Sequence, residues 1–320
     1  MSLVNCWKLI HNEMMKIYKQ KSTWIMYLSL LLLIVGSGIL TFAFSDVETE
    51  YSDASWRIEL EEENNRLFEE MEEFEFFQEI NMSLIAENNY YLEHDIKPVG
   101  YGAWHFVWEN EILLSIVSLF TIIIAAGIIA NEFRWGTIKL LLIRPIFRTT
   151  ILISKFSAVL LFALLTTIFV IVFSWFTGAV LFGVEGLNPY IVIEKQDGLE
   201  YVSLVGETMT TFALKLIHFL MMATFAFMIS SIFRNSALAI GTAVFLMMAG
   251  NSIVAYFSDK EWAKYILFAN TDLSQYRNPY GPVVEGMTLP FSVVILLVHF
   301  VLFMLVAWFA FTRRDISGTY

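Results

Sequence analysis

The sequence predicts an all-α integral membrane protein with six transmembrane helices, an N-terminal interfacial helix and a helical acidic extracellular loop. Of its 320 residues, 57% are hydrophobic and only 16% are charged, so a soluble domain of this length could not bury them. Six apolar stretches approach or exceed about 20 residues, the length that crosses about 30 Å of hydrocarbon. The charges between these stretches are divided very unevenly.

The six predicted spans follow from these apolar stretches. The third is long enough to tilt or to extend beyond the bilayer. They are Trp24–Phe44, Ile112–Ala130, Phe156–Phe182, Phe212–Phe233, Ala237–Phe257 and Leu289–Phe311, and they are connected by residues 45–111, 131–155, 183–211, 234–236 and 258–288.

The charge distribution predicts the orientation. One set of segments, residues 1–23, 131–155, 234–236 and 312–320, holds 12 Lys/Arg and three acids, whereas the opposite set holds 8 Lys/Arg and 28 acids. Basic residues concentrate in cytoplasmic loops. We therefore expect a multi-pass protein of the cell membrane with both termini in the cytoplasm and the acidic loop outside.

Residues 1–23 predict an amphipathic helix in the cytoplasmic interface. Apolar residues recur at spacings of three and four, and the lysines fall largely elsewhere around the helix, facing anionic lipid headgroups. An ordinary juxtamembrane lead-in to the first span is the alternative. The apolar positions are Leu3, Trp7, Ile10, Met14 and Ile17.

The 45–111 loop contains 19 acids and three bases. Helical spacing of Trp56, Leu60, Leu67, Met71 and Phe74 predicts one or two extracellular helices. The acidic face could concentrate a cationic peptide or a divalent ion, or it could simply keep a long excursion soluble. Just before the second span, YGAWHFVWEN (101–110) indicates an aromatic belt at the outer interface.

The loop between the second and third spans, NEFRWGTIKLLLIRPIFRTTILISK (131–155), has an ordered pattern. Gly136 permits a left-handed turn where the span ends, and Thr137 can cap a new short helix. Pro145 then stops that helix, because the residue before a proline avoids the α region. The pattern predicts a protruding knob on the membrane face that suits a socket on a soluble partner.

At these residues the sequence resembles the permease subunits of type-2 ABC exporters. Their corresponding loop typically reads R-E-x-x-x-G-T, followed by a leucine-rich turn, a proline, an arginine and a lysine. Asn131 stands where that family often has arginine. Residues 230–250, SSIFRNSALAIGTAVFLMMAG, resemble the junction of the fourth and fifth spans in the bacitracin- and lantibiotic-immunity branch.

The resemblance implies that residues 136–144 form a coupling helix, which docks onto a separate ATPase subunit. Two ATPase copies would use ATP and Mg²⁺ to move two permease subunits, identical or homologous, and export an amphiphile such as an antimicrobial peptide. Glu132 would form a salt bridge with Arg134, Arg148 or the N-terminal helix, or remain a solvated charge. The implied coupling residues are Glu132, Arg134, Gly136, Thr137, Lys139, Leu141, Leu142, Pro145 and Arg148.

Two polar residues in or near the spans are candidates for a substrate pathway. His299 falls near the middle of the sixth span, where an ionisable side chain is costly, although a neutral imidazole can bond a helix carbonyl instead. Asn251, near the outer end of the fifth span, could line a vestibule or cap the helix.

Other function classes have little support in the sequence. There is no G-x-x-x-x-G-K-[ST], H-E-x-x-H or G-x-S-x-G motif, one cysteine excludes an internal disulfide, and the five histidines are dispersed, so we expect no catalytic site, metal or cofactor in this chain. A nucleic-acid partner is not expected. A secondary transporter should show paired intramembrane charges or broken helices. A membrane sensor whose acidic ectodomain binds a ligand without transport remains an alternative.

Overall fold

The computed structural model describes residues 3–45, 47, 50–137, 146–233 and 235–313. Its helices are α1 (Leu3–Lys19), α2 (Lys21–Phe44), α3 (Trp56–Glu73), α4 (Gln78–Glu93), α5 (Ala103–Glu109), α6 (Leu114–Arg134), α7 (Arg148–Leu181), α8 (Leu204–Ile232), α9 (Ser236–Tyr256), α10 (Leu267–Asn270) and α11 (Leu289–Thr312), and its strands are β1 (Tyr190–Lys195) and β2 (Gly198–Ser203). Short 3₁₀ helices span Glu75–Phe77, Asn110–Leu113, Glu261–Tyr265 and Leu273–Tyr276.

Six helical segments are long and apolar enough to cross a membrane, and each overlaps one predicted span. Among the described residues they are Lys21–Phe44, Ala103–Arg134, Arg148–Leu181, Leu204–Ile232, Ser236–Tyr256 and Leu289–Thr312. The protein is therefore a helical membrane protein. We call the end of the bundle that carries α1 and Gly136 the α1 side, and the end that carries α3, α4 and the strands the hairpin side.

Helix α6 lies at the centre of the bundle and packs against α7, α8 and α9. In the span Ala103–Arg134, which ends with α6, 61% of the most apolar stretch is buried inside the protein. The corresponding fractions are 17% in α2 and 11% in α11. Small residues on α6, including Ala125, Ala126 and Ala130, share a core with Ala158 of α7 and Ala223 of α8. Small side chains let helix backbones approach closely where no water drives them together.

Helices α7 and α8 begin earlier than the sequence predicts. The predicted third span started at Phe156, after the last basic residue, but α7 starts at Arg148. The predicted fourth span started at Phe212, but α8 starts at Leu204, after Ser203 caps it by accepting from the Gly206 N–H at 3.0 Å. Both extensions carry charged side chains, and these find partners elsewhere in the fold.

The hairpin side contains a small soluble layer. Helices α3 and α4 pack together, and α4 also contacts β1, which pairs with β2 as an antiparallel hairpin with Lys195 opposite Gly198. The sequence predicted a loop over residues 183–211 and not this hairpin. Its core contains Trp56, Leu60 and Tyr91. Phe74, assigned to the same helical face, instead follows the end of α3 and is exposed.

The aromatic segment before the second span forms α5 and turns into the bundle. Phe106 and Val107 are buried, and α5 packs on α7. At the closest approach, a Cβ added to Gly178 of α7 would lie 2.9 Å from the Ala103 Cα. Part of this segment is therefore protein core, whereas Tyr101, Trp104 and Trp108, the aromatic residues predicted to form the belt, are only partly buried.

Candidate functional site

Four charged side chains meet on the α1 side, and we call Glu13, Lys16, Glu132 and Lys155 the ion cluster. Lys155 of α7 is fully buried and donates to Glu13 Oε2 at 2.8 Å and to Glu132 Oε1 at 2.9 Å. Lys16 of α1 donates to Glu13 Oε1 at 2.8 Å and to Glu132 Oε1 at 2.9 Å. Two cations thus neutralise two buried carboxylates, which makes the burial of Glu13, Glu132 and Lys155 tolerable.

The ion cluster joins three chain segments that are distant in sequence. Glu13 and Lys16 come from α1, Glu132 comes from the last turn of α6, and Lys155 comes from α7. A further bond from Lys155 Nζ to the Ile128 carbonyl, at 3.3 Å, adds α6 backbone to the network. Residues 138–145 lie between Glu132 and Lys155, so the cluster holds both flanks of that segment against α1.

Gly136 and Thr137 shape the chain where α6 ends. Gly136 adopts a φ of 70°, the left-handed conformation that the sequence predicted. This turn brings Thr137 back onto the helix end, where its hydroxyl donates to the Glu132 carboxylate and lies 3.4 Å from the Glu132 carbonyl oxygen. Thr137 therefore helps to hold Glu132; the short helix that it was predicted to cap lies outside the described residues.

Lys16 is the most solvent-accessible member of the ion cluster, with 48% of its side chain exposed. Partial burial lowers the pKa of Lys16, but its bonds to Glu13 and Glu132 outweigh that effect and raise the pKa above its ordinary value of 10.5. Lys16 therefore stays protonated at neutral pH and keeps α1 attached to α6.

The first turn of α7 contacts the end of the last span. Arg148 donates to the Thr312 carbonyl at 2.7 Å, and Trp308 Nε1 donates to the Thr149 hydroxyl at 3.0 Å. A cation at the carbonyl end of a helix also complements the helix dipole. The C-terminal flank of residues 138–145 is thus attached to α11 as well as to α1.

A cleft of about 670 Å³ opens beside the ion cluster. One wall is α1, and the others come from the end of α6 and the start of α7. Its lining includes Leu9, Asn12, Glu13, Lys16, Lys19, Glu132, Trp135, Thr137, Ile146 and Ile151. This cleft adjoins the segment predicted to dock a soluble partner.

The predicted coupling residues fall into three groups. Glu132, Thr137 and Arg148 make the contacts above, and Glu132 pairs with α1 and Lys155 rather than with Arg134 or Arg148. Arg134 and Gly136 are exposed at the end of α6. Lys139, Leu141, Leu142 and Pro145 lie outside the described residues.

The two pathway candidates lie apart. His299 Nδ1 lies 2.9 Å from the Ile295 carbonyl of its own helix, and its ring contacts Phe303. This bond satisfies the imidazole within α11. Asn251, by contrast, lines a cavity of about 320 Å³ between α6, α8 and α9.

Glu13 and Lys155 belong to the site, although the sequence did not single them out as site residues. Glu13 lies three residues after Ile10 and four before Ile17, so it interrupts the apolar face of α1. A carboxylate on an apolar helix face indicates a buried partner. Lys155 occurred only as the last position of the loop pattern, and the span prediction began immediately after it.

We find no candidate metal site among the residues that the structure describes. No group of three or more His, Cys, Asp or Glu side chains there is arranged to hold a metal ion. The ion cluster itself is internally neutral, with both carboxylates engaged by lysines.

Comparison with known proteins assigns the chain to a family. Residues 74–317 match the family described as "Protein of unknown function (DUF2705)". The chain belongs to the DUF2705 family. The DUF2705 match includes Glu132 and Lys155 but begins after α1, so it covers only part of the ion cluster.

Two relatives come from Bacillus subtilis (strain 168). "Uncharacterized protein YhcI" is 41% identical over 315 residues, covering 97% of this chain and 99% of that protein. "Uncharacterized membrane protein YdbK" is 32% identical over 198 residues, covering 61% of this chain and 76% of that protein. The second name agrees with the membrane character of this DUF2705 chain.

Proposed function

We propose that this protein is the permease subunit of an ATP-binding-cassette exporter, driven by a separate ATPase that docks on residues 136–144. The ion cluster carries the proposal. It ties both flanks of the docking segment to α1, so a force applied to that segment reaches α1, α6 and α7 together.

The contacts of the docking segment show which helices would move with it. Glu132 connects the docking segment to the central helix α6, whereas Lys155 and Arg148 connect it to α7 and α11. Helices joined by buried ion pairs resist separation, because an uncompensated buried charge is costly. Displacement of the docking segment therefore moves α1, α6 and α7, the helices joined by the ion cluster, as one body. Alternating access requires this kind of rigid-body movement.

ATP hydrolysis has to be supplied by another chain. The sequence contains no P-loop motif, and its acidic excess lies in the segments opposite to residues 131–155. The proposal places residues 131–155 and both termini in the cytoplasm, where an ATPase is accessible. Two permease subunits and two ATPase subunits complete the assembly, and its substrate is an amphiphile such as an antimicrobial peptide.

A sensor without transport activity is the second candidate, and one observation favours it. The α3–α4 layer and the hairpin have a core of their own, and a cleft of about 490 Å³ beside α3 is lined by Glu59, Glu62 and Glu63. A folded acidic layer of this kind can bind a ligand outside the membrane without any ATPase.

Co-purification distinguishes the exporter from the sensor. We expect the full chain, expressed in its native host, to bring down an ATP-binding-cassette ATPase and to raise the hydrolysis rate of that ATPase in proteoliposomes. Scrambling the order of residues 138–145 should abolish both effects while leaving membrane insertion intact. Scrambling residues 315–320, on the same proposed side, is the matched control and should change neither.

Two results would contradict the exporter. One is full ATPase stimulation by the chain with residues 138–145 scrambled. The other is a chain that binds no ATPase but still binds ligands through its acidic layer, which would establish the sensor.

A further inference from the structure

A second charged site lies near the hairpin side of the bundle, in the cavity of about 320 Å³ between α6, α8 and α9. Its inner wall is mixed: Phe219, Met222 and Met247 supply apolar surface beside the polar pair Ser118 and His218, whose Oγ and Nε2 atoms lie 3.3 Å apart. Phe268 also lines the cavity. Its mouth is charged, with Glu111, Lys215 and Asp272. The volume falls at the lower end of small-molecule sites, which span about 300–1,000 Å³.

The charges at the mouth are unequally satisfied. Lys215 donates to Asp272 at 3.0 Å, and Asp272 also accepts from the Ser274 N–H at 3.1 Å. Glu111 lies 3.8 Å from the Lys215 nitrogen, beyond hydrogen-bond distance. Among the described residues, no hydrogen-bond donor reaches the Glu111 carboxylate, and its ion-pair partner Lys215 is shared with Asp272, so one cation serves two carboxylates at the mouth.

The neighbouring cleft does not neutralise that charge. Glu111 also lines a cleft of about 270 Å³ with Glu194, Lys195, Glu207 and Arg277. Arg277 engages both Glu207 oxygens, and Lys195 lies 3.7 Å from Glu207. The linings of the two clefts share Glu111 and together contain four carboxylates and three cations, and Lys195 also donates to Glu200 at 2.7 Å, so the balance stays negative.

We propose that this cavity binds a singly charged alkylammonium amphiphile, with its cationic head between Glu111 and the Phe268 ring and its hydrocarbon chain against Phe219, Met222 and Met247. The aromatic ring attracts the cation, and Glu111, which accepts no hydrogen bond among the described residues, pairs with it. Methionine side chains adapt to hydrocarbon of variable shape. An anion would meet Glu111 and Asp272 and be repelled.

Alkylammonium amphiphiles would be a substrate class of the proposed exporter, and to that extent the inference rests on the proposed function. Its binding test contains no ATPase. If the titration shows no binding, only the proposed binding site is disproved. If no ATPase co-purifies, the proposed exporter function is disproved.

The experiment titrates the full chain in non-ionic maltoside micelles with hexyltrimethylammonium or with hexanesulfonate, against protein-free micelles. We expect saturable binding of the cation and none of the anion. Glu111→Gln should weaken cation binding about tenfold, and Lys215→Met should strengthen it by a similar factor, because each changes one charge near the head. The opposite direction of the two effects separates charge from misfolding.

Asp259→Asn is the matched control, since it removes one carboxylate that is 68% exposed in the connection after α9, and it should leave the affinity unchanged. Competition by glycerophosphocholine would identify a lipid headgroup as the source of the cation, and lack of competition a free amphiphile. Equal binding of the cation and the sulfonate, or unchanged affinity in Glu111→Gln, would overturn the inference.

Discussion

Lys155 is a fully buried charged side chain in α7, a mostly apolar helix. Its ammonium group is accommodated because Glu13 and Glu132 both accept from it. Removing a partner from a buried ion pair usually costs more than the pair contributes, since the remaining charge is left without water or counterion. The ion cluster is therefore a site where single substitutions should be severe and paired substitutions mild.

Lys155→Met should lower the free energy of unfolding by about 3–5 kcal/mol, because it leaves two carboxylates facing the single cation Lys16. Thermal unfolding of the purified protein in detergent measures the loss. Lys19→Met, an exposed lysine at the end of α1, is the control and should change stability by no more than about 0.5 kcal/mol.

The double variant Lys155→Met/Glu13→Gln tests the cause. It removes one charge of each sign, so it should recover a large part of the lost stability. A double variant less stable than Lys155→Met would show that packing, and not charge balance, accounts for the effect.

The contact of α5 with α7 depends on a missing side chain. Ala103 and Phe106 of α5 lie so close to Gly178 that any Cβ there would meet backbone, whereas Gly36 of α2 has nothing within 4 Å of its added Cβ. Backbone atoms cannot move aside as a flexible side chain can. Gly178 thus sets the distance at which the segment before α6 packs on α7.

Gly178→Ala should destabilise the protein by about 1–3 kcal/mol through overpacking. Gly36→Ala makes the same chemical change in open space and should be neutral or stabilising by up to about 1 kcal/mol, since alanine favours helix. Unfolding temperatures of the two variants, compared in the same detergent, give the difference. Equal effects would mean that α5 and α7 can separate without loss.

The packing of α4 on β1 should depend on pH. The Val192 N–H donates to the Tyr91 hydroxyl at 2.8 Å, and Ser83 donates to Glu194 at 3.2 Å. Burial and the nearby negative charge of Glu194 raise the pKa of Glu87 from its ordinary value of 4.5 to about 7. Glu87 therefore holds a proton in the folded protein at pH values where the unfolded chain has lost it.

Because the folded state binds the extra proton, stability should fall as pH rises from about 4.5 to about 7 and then level off. Hydrogen exchange of residues 78–93 and 190–203 at pH 5 and pH 8 measures this. Glu87→Gln should protect these segments at pH 8 and have little effect at pH 5. Greater protection of the unmodified protein at pH 8 would contradict the assignment.

At the scale of the whole molecule, the two ends of the bundle differ in charge while the helices between them expose hydrocarbon. Helices α2 and α11 present large exposed apolar side chains, including Leu32, Phe42, Leu297 and Leu305. Such a surface requires lipid or another membrane helix. The exporter proposal places the α1 side in the cytoplasm because the basic segments lie there.

Cysteine labelling tests this orientation. In a Cys6→Ser background, a membrane-impermeant maleimide should label Asp259→Cys in intact cells and label Trp135→Cys only after permeabilisation. Both positions are exposed, so accessibility within the protein does not limit the reaction. If only Trp135→Cys is labelled in intact cells, the orientation is opposite to the one proposed, and the docking segment lies outside the cytoplasm.

The sequence predicted those features that depend on local composition. Apolar runs located all six candidate spans, and the helical spacing of Trp56, Leu60 and Leu67 located α3. The β1–β2 hairpin escaped prediction although the alternation in YIVIEK and the following Asp197-Gly198 dipeptide were visible in the sequence. Helices α7 and α8 begin before the predicted spans because charged residues were taken to end an apolar run, whereas partners in the fold allow the helix to continue through them.

By itself, the sequence determined a multi-span membrane protein with most of its acidic residues on one side, because hydrophobic length and charge are properties of each segment alone. Only the tertiary structure decided which charges meet. Lys155 lies 142 residues from Glu13 and 23 from Glu132 along the chain. No local spacing encodes such contacts, since they arise when helix packing brings α1, α6 and α7 to one point and excludes water from it.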